Sequence, residues 1–308
     1  MKNEINAASS TAPAKRALKL GVIGHPVGHS LSPALHKVFA EAKGVEITYE
    51  KFDVPPAKLP EFMKNAALAL DGFSVTIPHK LSVMGYLSSA DANSTAIGAV
   101  NTVLRRDKDF FGYNTDIDGF AQSLARAGER GSPAGKKVFM WGAGGAARAV
   151  AKAMGAQKAG LITVANRDPG KAEDFCGLTG DTPCLVMGIG DEKKLIESIV
   201  AADIIVNATS VGMAGGPDPE GLPPGASAIR AGQLVVDIVY KPLVTPLLKA
   251  AGEAGAGTLD GLWMLIYQGA VAFDIWLGNR PVPGGYPAQK ARDALLMELG
   301  EKRDQPGV

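Results

Sequence analysis

Apolar and polar positions along this chain switch repeatedly between two periods. Residues 18–24 form an apolar run interrupted by Lys19 and Gly21 and closed by Gly24, the pattern of a buried strand. Leu35, Val38, Phe39 and Ala42 then recur at helical spacing up to about Lys43. A second strand is predicted over 47–54 and a second helix over 59–69. Between Gly72 and Lys80, Phe73, Val75 and Ile77 alternate with Ser74 and Thr76, and Pro78 stops the strand. Residues 100–104 and 110–116 add strands, and 117–127 reads as a helix. This alternation of strand and helix predicts a mostly parallel α/β sheet.

A glycine-rich, charged linker over 128–135 precedes a second unit of the same grammar. Strands are predicted at 138–141, 161–165, 204–208 and 234–239. Residues 212–226 form a loop dense in Gly and Pro. Leu262, Leu265, Ile266, Gly269, Phe273 and Trp276 then share one stripe of a helix that Gly278 ends, and a last helix covers about 287–299.

The length of 308 residues is close to the limit for one core and predicts two domains. We expect one domain of residues 1–118 plus 256–308 and another of 119–255. A net charge of +1 gives no surface for nucleic acid or membrane. The apolar run 262–277 is too short to span a bilayer and carries Gln268 and Asp274. The first 17 residues lack the apolar core of a secretory signal and read as a disordered leader. Cys176 and Cys184 are the only cysteines, too few for a disulfide framework or a metal cage, which points to a reducing cytoplasm.

Candidate chemistry collects at the predicted strand ends. Gly142, Ala143, Gly144, Gly145 and Ala146 join a strand to a helix, where glycines let backbone N–H groups approach a pyrophosphate. The next strand ends in Asn166, Arg167 and Asp168, with Lys171 close behind. Arg167 and Lys171 suit the 2′-phosphate of NADP; Asp168 repels it, or accepts from the ribose of NAD. Ser30 and Ser32 can aim two hydroxyls at one ligand, while Ser32 before Pro33 also has the form of a helix N-cap. Lys80 beyond its strand can donate a proton, anchor an anion or stand as a surface charge. Asn101, Asp116 and Gln268 interrupt apolar runs and have turn or surface readings as well. Together with Thr76 they supply contacts for a small polyhydroxylated acid. The four histidines, His25, His29, His36 and His79, match no zinc spacing, so no metal is expected.

These motifs taken together resemble the shikimate dehydrogenase family over almost the whole chain. They are GHPVGHSLSP at 24–33, VTIPHK at 75–80, GAVNT at 98–102, NTDIDG at 114–119, GAGGAARA at 142–149, NATSVGM at 207–213 and DGLWMLIYQGAVAF at 260–273. The resemblance implies that Ser30 and Ser32 bind the substrate carboxylate. It implies that Thr76, Lys80, Asn101, Asp116, Tyr240 and Gln268 contact the substrate, with Lys80 and Asp116 as the catalytic pair. It adds Ile238 and Gly261 to the cofactor site, implies that residues 1–118 plus 256–308 are an α/β substrate-binding domain and 119–255 a Rossmann-type dinucleotide-binding domain, and implies NADPH-dependent reduction of 3-dehydroshikimate to shikimate.

The chain departs from the family at Ser74, where Asn is usual, at Asp168, where Thr or Ser is common, and at Tyr267, where His is common. Two rival readings follow. One is a quinate/shikimate dehydrogenase using NAD; the other is a non-catalytic metabolite- or nucleotide-binding protein. A homodimer is compatible with the sequence, which does not set the oligomeric state.

Overall fold

A computed structural model of the chain describes residues 17–279 and 284–301. All but the last residue of the expected leader therefore lies outside the described residues. The first unit comprises β1 (Leu18–Gly24), α1 (Ser32–Lys43), β2 (Ile47–Asp53), α2 (Leu59–Lys64), β3 (Gly72–Val75), β4 (Ser89–Ala90), α3 (Ala92–Ile97), β5 (Thr102–Arg106) and β6 (Asp109–Tyr113). These strands form a six-stranded sheet in the order β2-β1-β3-β5-β6-β4. It is parallel except at β5, which runs antiparallel to both its neighbours. The exception has a local cause. β5 and β6 are joined by Asp107 and Lys108, and Asp107 takes a left-handed φ of 56°, which closes a tight hairpin.

After α4 (Asp116–Leu124) the second unit follows: β7 (Lys137–Trp141), α5 (Gly145–Ala156), β8 (Leu161–Asn166), β9 (Cys184–Gly188), α6 (Glu192–Ala201), β10 (Ile204–Asn207), β11 (Leu234–Asp237), α7 (Pro246–Glu253) and β12 (Gly257–Leu259). Its six strands are ordered β12-β11-β10-β7-β8-β9 and all pair in parallel. The order reverses between β7 and β10, so a crevice opens at their carboxyl ends, where α/β sheets bind ligands. α8 (Leu262–Trp276) and α9 (Ala288–Leu299) complete the chain. Among the described residues no helix is long and apolar enough to cross a membrane.

α8 returns to the first sheet and packs on α4. At Gly119 the helices touch so closely that a Cβ there would lie 2.5 Å from the Gln268 Cβ. Trp276 of α8 donates its indole N–H to the Val103 carbonyl of β5 at 3.0 Å. One continuous apolar cluster runs from Leu35 and Phe39 through Phe120 and Phe273 to Met140 and Met154. Each such buried side chain contributes about 1.5–3 kcal/mol by leaving water, so the two units share a stake in this layer.

The structure differs from the sequence expectations at several points. Asn65 (φ −122°, ψ −81°) breaks the helix expected over 59–69 into α2 and a 3₁₀ turn over 66–69. Leu31, not Ser32, is the N-cap of α1, and no side chain caps it. β12 pairs with β11 beyond the expected domain boundary at 255. β4, β9, β12, α3, α6 and α7 were not read from the sequence; β4, β12 and α3 span only two, three and six residues, too few to show a period. Cys176 and Cys184, read as two thiols, are joined as a disulfide, because the 3₁₀ turns over 169–178 bring their Cα atoms to 5.2 Å.

Candidate active site

The site is built at the carboxyl ends of β1 and β3, which lie side by side with Ile23 opposite Val75. Just beyond β3, the Thr76 N–H donates to the Ile23 carbonyl at 2.9 Å. Gly24 must be small here, since a Cβ would lie 2.5 Å from the Thr76 methyl. His79 N–H closes onto the Thr76 carbonyl at 2.9 Å, and the buried His79 ring bonds the Val54 carbonyl at 2.6 Å. The Lys80 carbonyl accepts from the Val100 N–H at 2.8 Å. The lysine backbone is thus held on both sides, and only its side chain is left to reach into the cleft.

Lys80 donates through Nζ to Asp116 Oδ2, with the two side chains 16% and 6% exposed. Asp116 opens α4, and its N–H donates to Asn114 Oδ1 at 3.2 Å. The helix N-terminus favours its negative charge. The other carboxylate oxygen accepts from Asn101 Nδ2 at 2.8 Å. That same amide nitrogen lies 2.9 Å from Thr115 Oγ1 and 3.2 Å from Gln268 Oε1, so two hydrogens are shared among three acceptors. Asn101 Oδ1 accepts from the Thr115 N–H at 2.8 Å and from Thr102 Oγ1 at 3.0 Å. The turn-capping reading of Asn101 is therefore replaced: it is buried and locks the Lys80–Asp116 pair to α8. Gln268 also donates Nε2 to the Leu265 carbonyl at 2.8 Å, so it turns inward rather than to solvent.

Ser30 and Ser32 sit on the loop after β1. Ser30 Oγ donates to Ser32 Oγ at 3.2 Å, and its backbone N–H bonds the Val27 carbonyl at 3.0 Å. Thr115, Thr102 and Tyr49 are polar participants that sequence reasoning did not single out, and Ser74, noted only as a departure from the family, bonds the Tyr49 hydroxyl at 2.9 Å. The signal for Thr115 lay in the Asn-Thr-Asp run at the start of a helix.

The glycine turn faces the segment of Lys80 and Leu81 from the second sheet. Gly142 has φ 110°, and a Cβ there would lie 2.7 Å from the Ala208 carbonyl oxygen, so only glycine fits. Gly144 is the N-cap of α5 and looks into open space, and no side chain caps the helix. The first-turn N–H groups of Gly145 and Ala146 are therefore free to meet an anion. A Cβ on Gly145 would lie 3.6 Å from the Lys80 Cβ, which puts the turn directly beside the lysine. Arg148 of α5 donates through Nε to the Ile97 carbonyl and pairs with Asp174 at 2.8 Å, tying the two faces together.

The remaining cofactor candidates spread along the second sheet's carboxyl edge. Asn166 ends β8 and donates Nδ2 to the Asp168 carbonyl at 2.7 Å, while Arg167 stands exposed. Asp168 turns its carboxylate back to accept from the Gly170 N–H at 3.1 Å. The side chain of Lys171 lies outside the described residues. Gly261 packs on the backbone of Ile238 and Val239, where a Cβ would meet the Val239 oxygen at 2.7 Å. Tyr240 is half-buried, and burial raises its phenol above the usual range. Nearby, buried Asp237 accepts from Thr245 Oγ1 (2.7 Å), Asn207 Nδ2 and the Val239 N–H (each 3.0 Å), clasping the loops after β10 and β11. Burial pushes its carboxyl up to about 6 against those bonds.

A dinucleotide fits what these residues offer: a glycine cradle with open space at Gly144, an uncapped helix start, and a cation at the end of β8. A lysine–carboxylate pair beside the cradle can protonate an oxygen at a carbon that gains a hydride.

Comparison with known proteins follows this geometry. The family described as shikimate dehydrogenase substrate binding domain matches residues 22–103. Shikimate / quinate 5-dehydrogenase matches 124–214, and shikimate 5′-dehydrogenase C-terminal domain matches 261–296. The chain is 41% identical to a shikimate dehydrogenase (NADP(+)) of Moorella thermoacetica, covering 91% of this chain and 95% of that one. It is 43% identical to the one of Methanocaldococcus jannaschii, covering 85% and 92%. A solved structure of shikimate 5-dehydrogenase from Thermus thermophilus, in complex with NADP(H) and shikimate, superposes with a TM-score of 0.77 at 37% identity, covering 90% and 99%.

Proposed function

The chain belongs to the shikimate dehydrogenase family, and from that premise we propose that it reduces 3-dehydroshikimate to shikimate with NADPH through Lys80 and Asp116. The observation that carries the proposal is the Lys80–Asp116 pair, braced by Asn101 beside the glycine turn.

A nicotinamide held here would supply a hydride to the ketone carbon. Negative charge then builds on the ketone oxygen, and Lys80 Nζ donates a proton to it. Asp116 orients the ammonium, while Asn101 holds the carboxylate at its other oxygen. With 16% exposure, Lys80 recovers its proton from water at the cleft mouth. Ser30 and Ser32 take the substrate carboxylate; Thr76, Asn101, Tyr240 and Gln268 take hydroxyls. Gly142, Ala143, Gly144, Gly145 and Ala146 receive the pyrophosphate, Asn166, Arg167 and Lys171 the adenosine end, and Ile238 and Gly261 the nicotinamide end.

In this reading residues 1–118 and the segment after β12 form the substrate domain, and 119 through β12 the cofactor domain. We place the reaction in the cytoplasm on the biosynthetic role proposed here, the Cys176–Cys184 disulfide having removed the free-thiol argument for it, and read the assembly as a homodimer. Sedimentation at a single 31.9 kDa species would remove the dimer. Initial rates with shikimate and quinate, each with NAD and NADP, test the function. Higher kcat/KM for shikimate with NADP is expected; preference for quinate with NAD overturns it, and tight binding without turnover makes the chain a sensor.

A further inference from the structure

We propose that Asp237 is a positioning residue for the nicotinamide half of the cofactor: its carboxylate locks the loop after β10 to the loop after β11 and so sets where Ile238 and Tyr240 stand. The proposal rests on the reading that Ile238 lines the nicotinamide end and Tyr240 the substrate.

Asp237 ends β11, in register with Asn207 at the end of β10. Asp237, Asn207 and Thr245 are all fully buried. Asp237 Oδ1 accepts from Asn207 Nδ2 and from the Val239 N–H, each at 3.0 Å, and Oδ2 accepts from Thr245 Oγ1 at 2.7 Å. The three donors come from three places: the neighbouring strand end, the turn just past Asp237, and the N-cap of α7.

Each of those partners fixes more chain behind it. Asn207 Oδ1 accepts from the Thr209 N–H at 3.1 Å and from Thr209 Oγ1 at 2.6 Å, and Asn207 Nδ2 also donates to the Val211 carbonyl at 3.2 Å. The loop over 207–211 is thus wound on the side chain that Asp237 holds. Its Ala208 carbonyl backs the glycine turn at Gly142. On the other side, the held Val239 N–H lies between Ile238 and Tyr240 in the chain, and the Ile238 and Val239 carbonyls lie against Gly261. Farther out, the Ala214 N–H donates to the Lys241 carbonyl at 2.8 Å and joins the same two loops again.

Two loops that leave adjacent strands have no ladder to fix their spacing. A two-oxygen acceptor at the branch point supplies one. Burying a carboxylate without a cation is costly, and burial pushes this one up to about 6, so at neutral pH it is still charged and accepts on both oxygens. An amide would fill the same space, but it has one accepting oxygen and could not take the Thr245 proton on its other arm. Packing alone therefore does not call for a carboxylate here. Hydride transfer does call for fixed loops, since a misplacement of about 1 Å can cost on the order of 10²-fold in rate.

The experiment compares Asp237→Asn, Thr245→Val and Thr245→Ser with the parent in the oxidation of NADPH by 3-dehydroshikimate. It adds inhibition by 2′-phospho-ADP-ribose, which is the cofactor without its nicotinamide. Asp237→Asn and Thr245→Val are expected to lower kcat about tenfold or more and to raise KM for NADPH several-fold. Their Ki for 2′-phospho-ADP-ribose should stay within about twofold of the parent, because the cradle and Arg167 are untouched. Thr245→Ser keeps the hydroxyl and should match the parent. With NADPH deuterated at the transferred position, the isotope effect on kcat should grow in the two impaired variants, as hydride transfer becomes the slow step. Parental kcat and KM in folded Asp237→Asn overturn the proposal and leave Asp237 a stabilising residue. A Ki that rises in step with KM overturns it too, since the substitution then loosens the whole cofactor domain. Ile238→Ala checks the reading beneath it: parental kinetics there would refute the nicotinamide placement itself and the proposal with it. Should Asp237→Asn not fold, Thr245→Val and Thr245→Ser make the same comparison, and equal kinetics for those two overturn the proposal.

Discussion

Lys80 and Asp116 stand 36 residues apart in the chain and meet in a hydrogen-bonded ion pair whose carboxylate side is anchored by Asn101. Exchange of Lys80 for Met removes the ammonium while keeping most of its aliphatic volume. Asp116 retains its bond from Asn101, so the protein should fold and bind shikimate close to normally. Loss of a general acid should lower kcat by about 10²–10⁴. Steady-state rates with binding measured by calorimetry check this, and a kcat within a few-fold of the parent removes Lys80 from the chemistry.

Ser30 has no capping duty, because Leu31 is the N-cap of α1. Its hydroxyl is committed only to Ser32 in this structure. Ser30→Ala should therefore act on binding, raising KM for shikimate about tenfold or more and leaving kcat nearly unchanged, as expected for a bond to a charged group present in ground and transition states alike. An unaltered KM would reduce Ser30 to a loop residue.

At the adenosine end, the carboxylate of Asp168 bonds the Gly170 N–H, while the Arg167 guanidinium stands exposed. The repulsion expected from Asp168 toward a 2′-phosphate is thereby softened but not abolished. Arg167→Ala should raise KM for NADP and barely alter NAD, since the guanidinium grips only the extra phosphate. Asp168→Thr should sharpen the preference for NADP. The measurement is kcat/KM with both cofactors; weaker NAD use in Asp168→Thr would make Asp168 a ribose ligand.

His36 gives the fold a dependence on acid. It is fully buried among Tyr49, Phe39, Phe273 and Trp276, and neither ring nitrogen has a partner. Burial holds its pKa down to about 3, against 6.5 when unfolded. The folded state refuses a proton that the unfolded state accepts, so its contribution is fully present above pH 6.5 and is lost as pH falls toward 3. The slope is about 1.4 kcal/mol per pH unit within that window. Urea unfolding between pH 7 and 4.5 should show this slope reduced in His36→Phe; parallel curves for the two proteins would mean the ring titrates normally.

Local pattern alone determined much of this protein. The apolar runs of β1, β7, β8 and β11 need no partner to be recognised, because a strand buried on both faces has no polar side to present. The glycine turn at 142–146 was equally legible, since a left-handed φ at a strand–helix junction demands glycine wherever the chain lies. The motifs around Ser30, Lys80, Asn101 and Asp116 named the site's residues, but as separate segments with plausible local duties. Only the tertiary structure decided between those duties. Strand order brings β1 beside β3, and α8 back across both, so that Asn101 meets Gln268 across 167 residues. The same long-range placement set the Tyr49 hydroxyl of β2 against Ser74 of β3. Hydrophobic periodicity reports which face of an element is covered. It carries no information on which polar side chains from distant segments share a hydrogen, and in this molecule that sharing is what assembles the site.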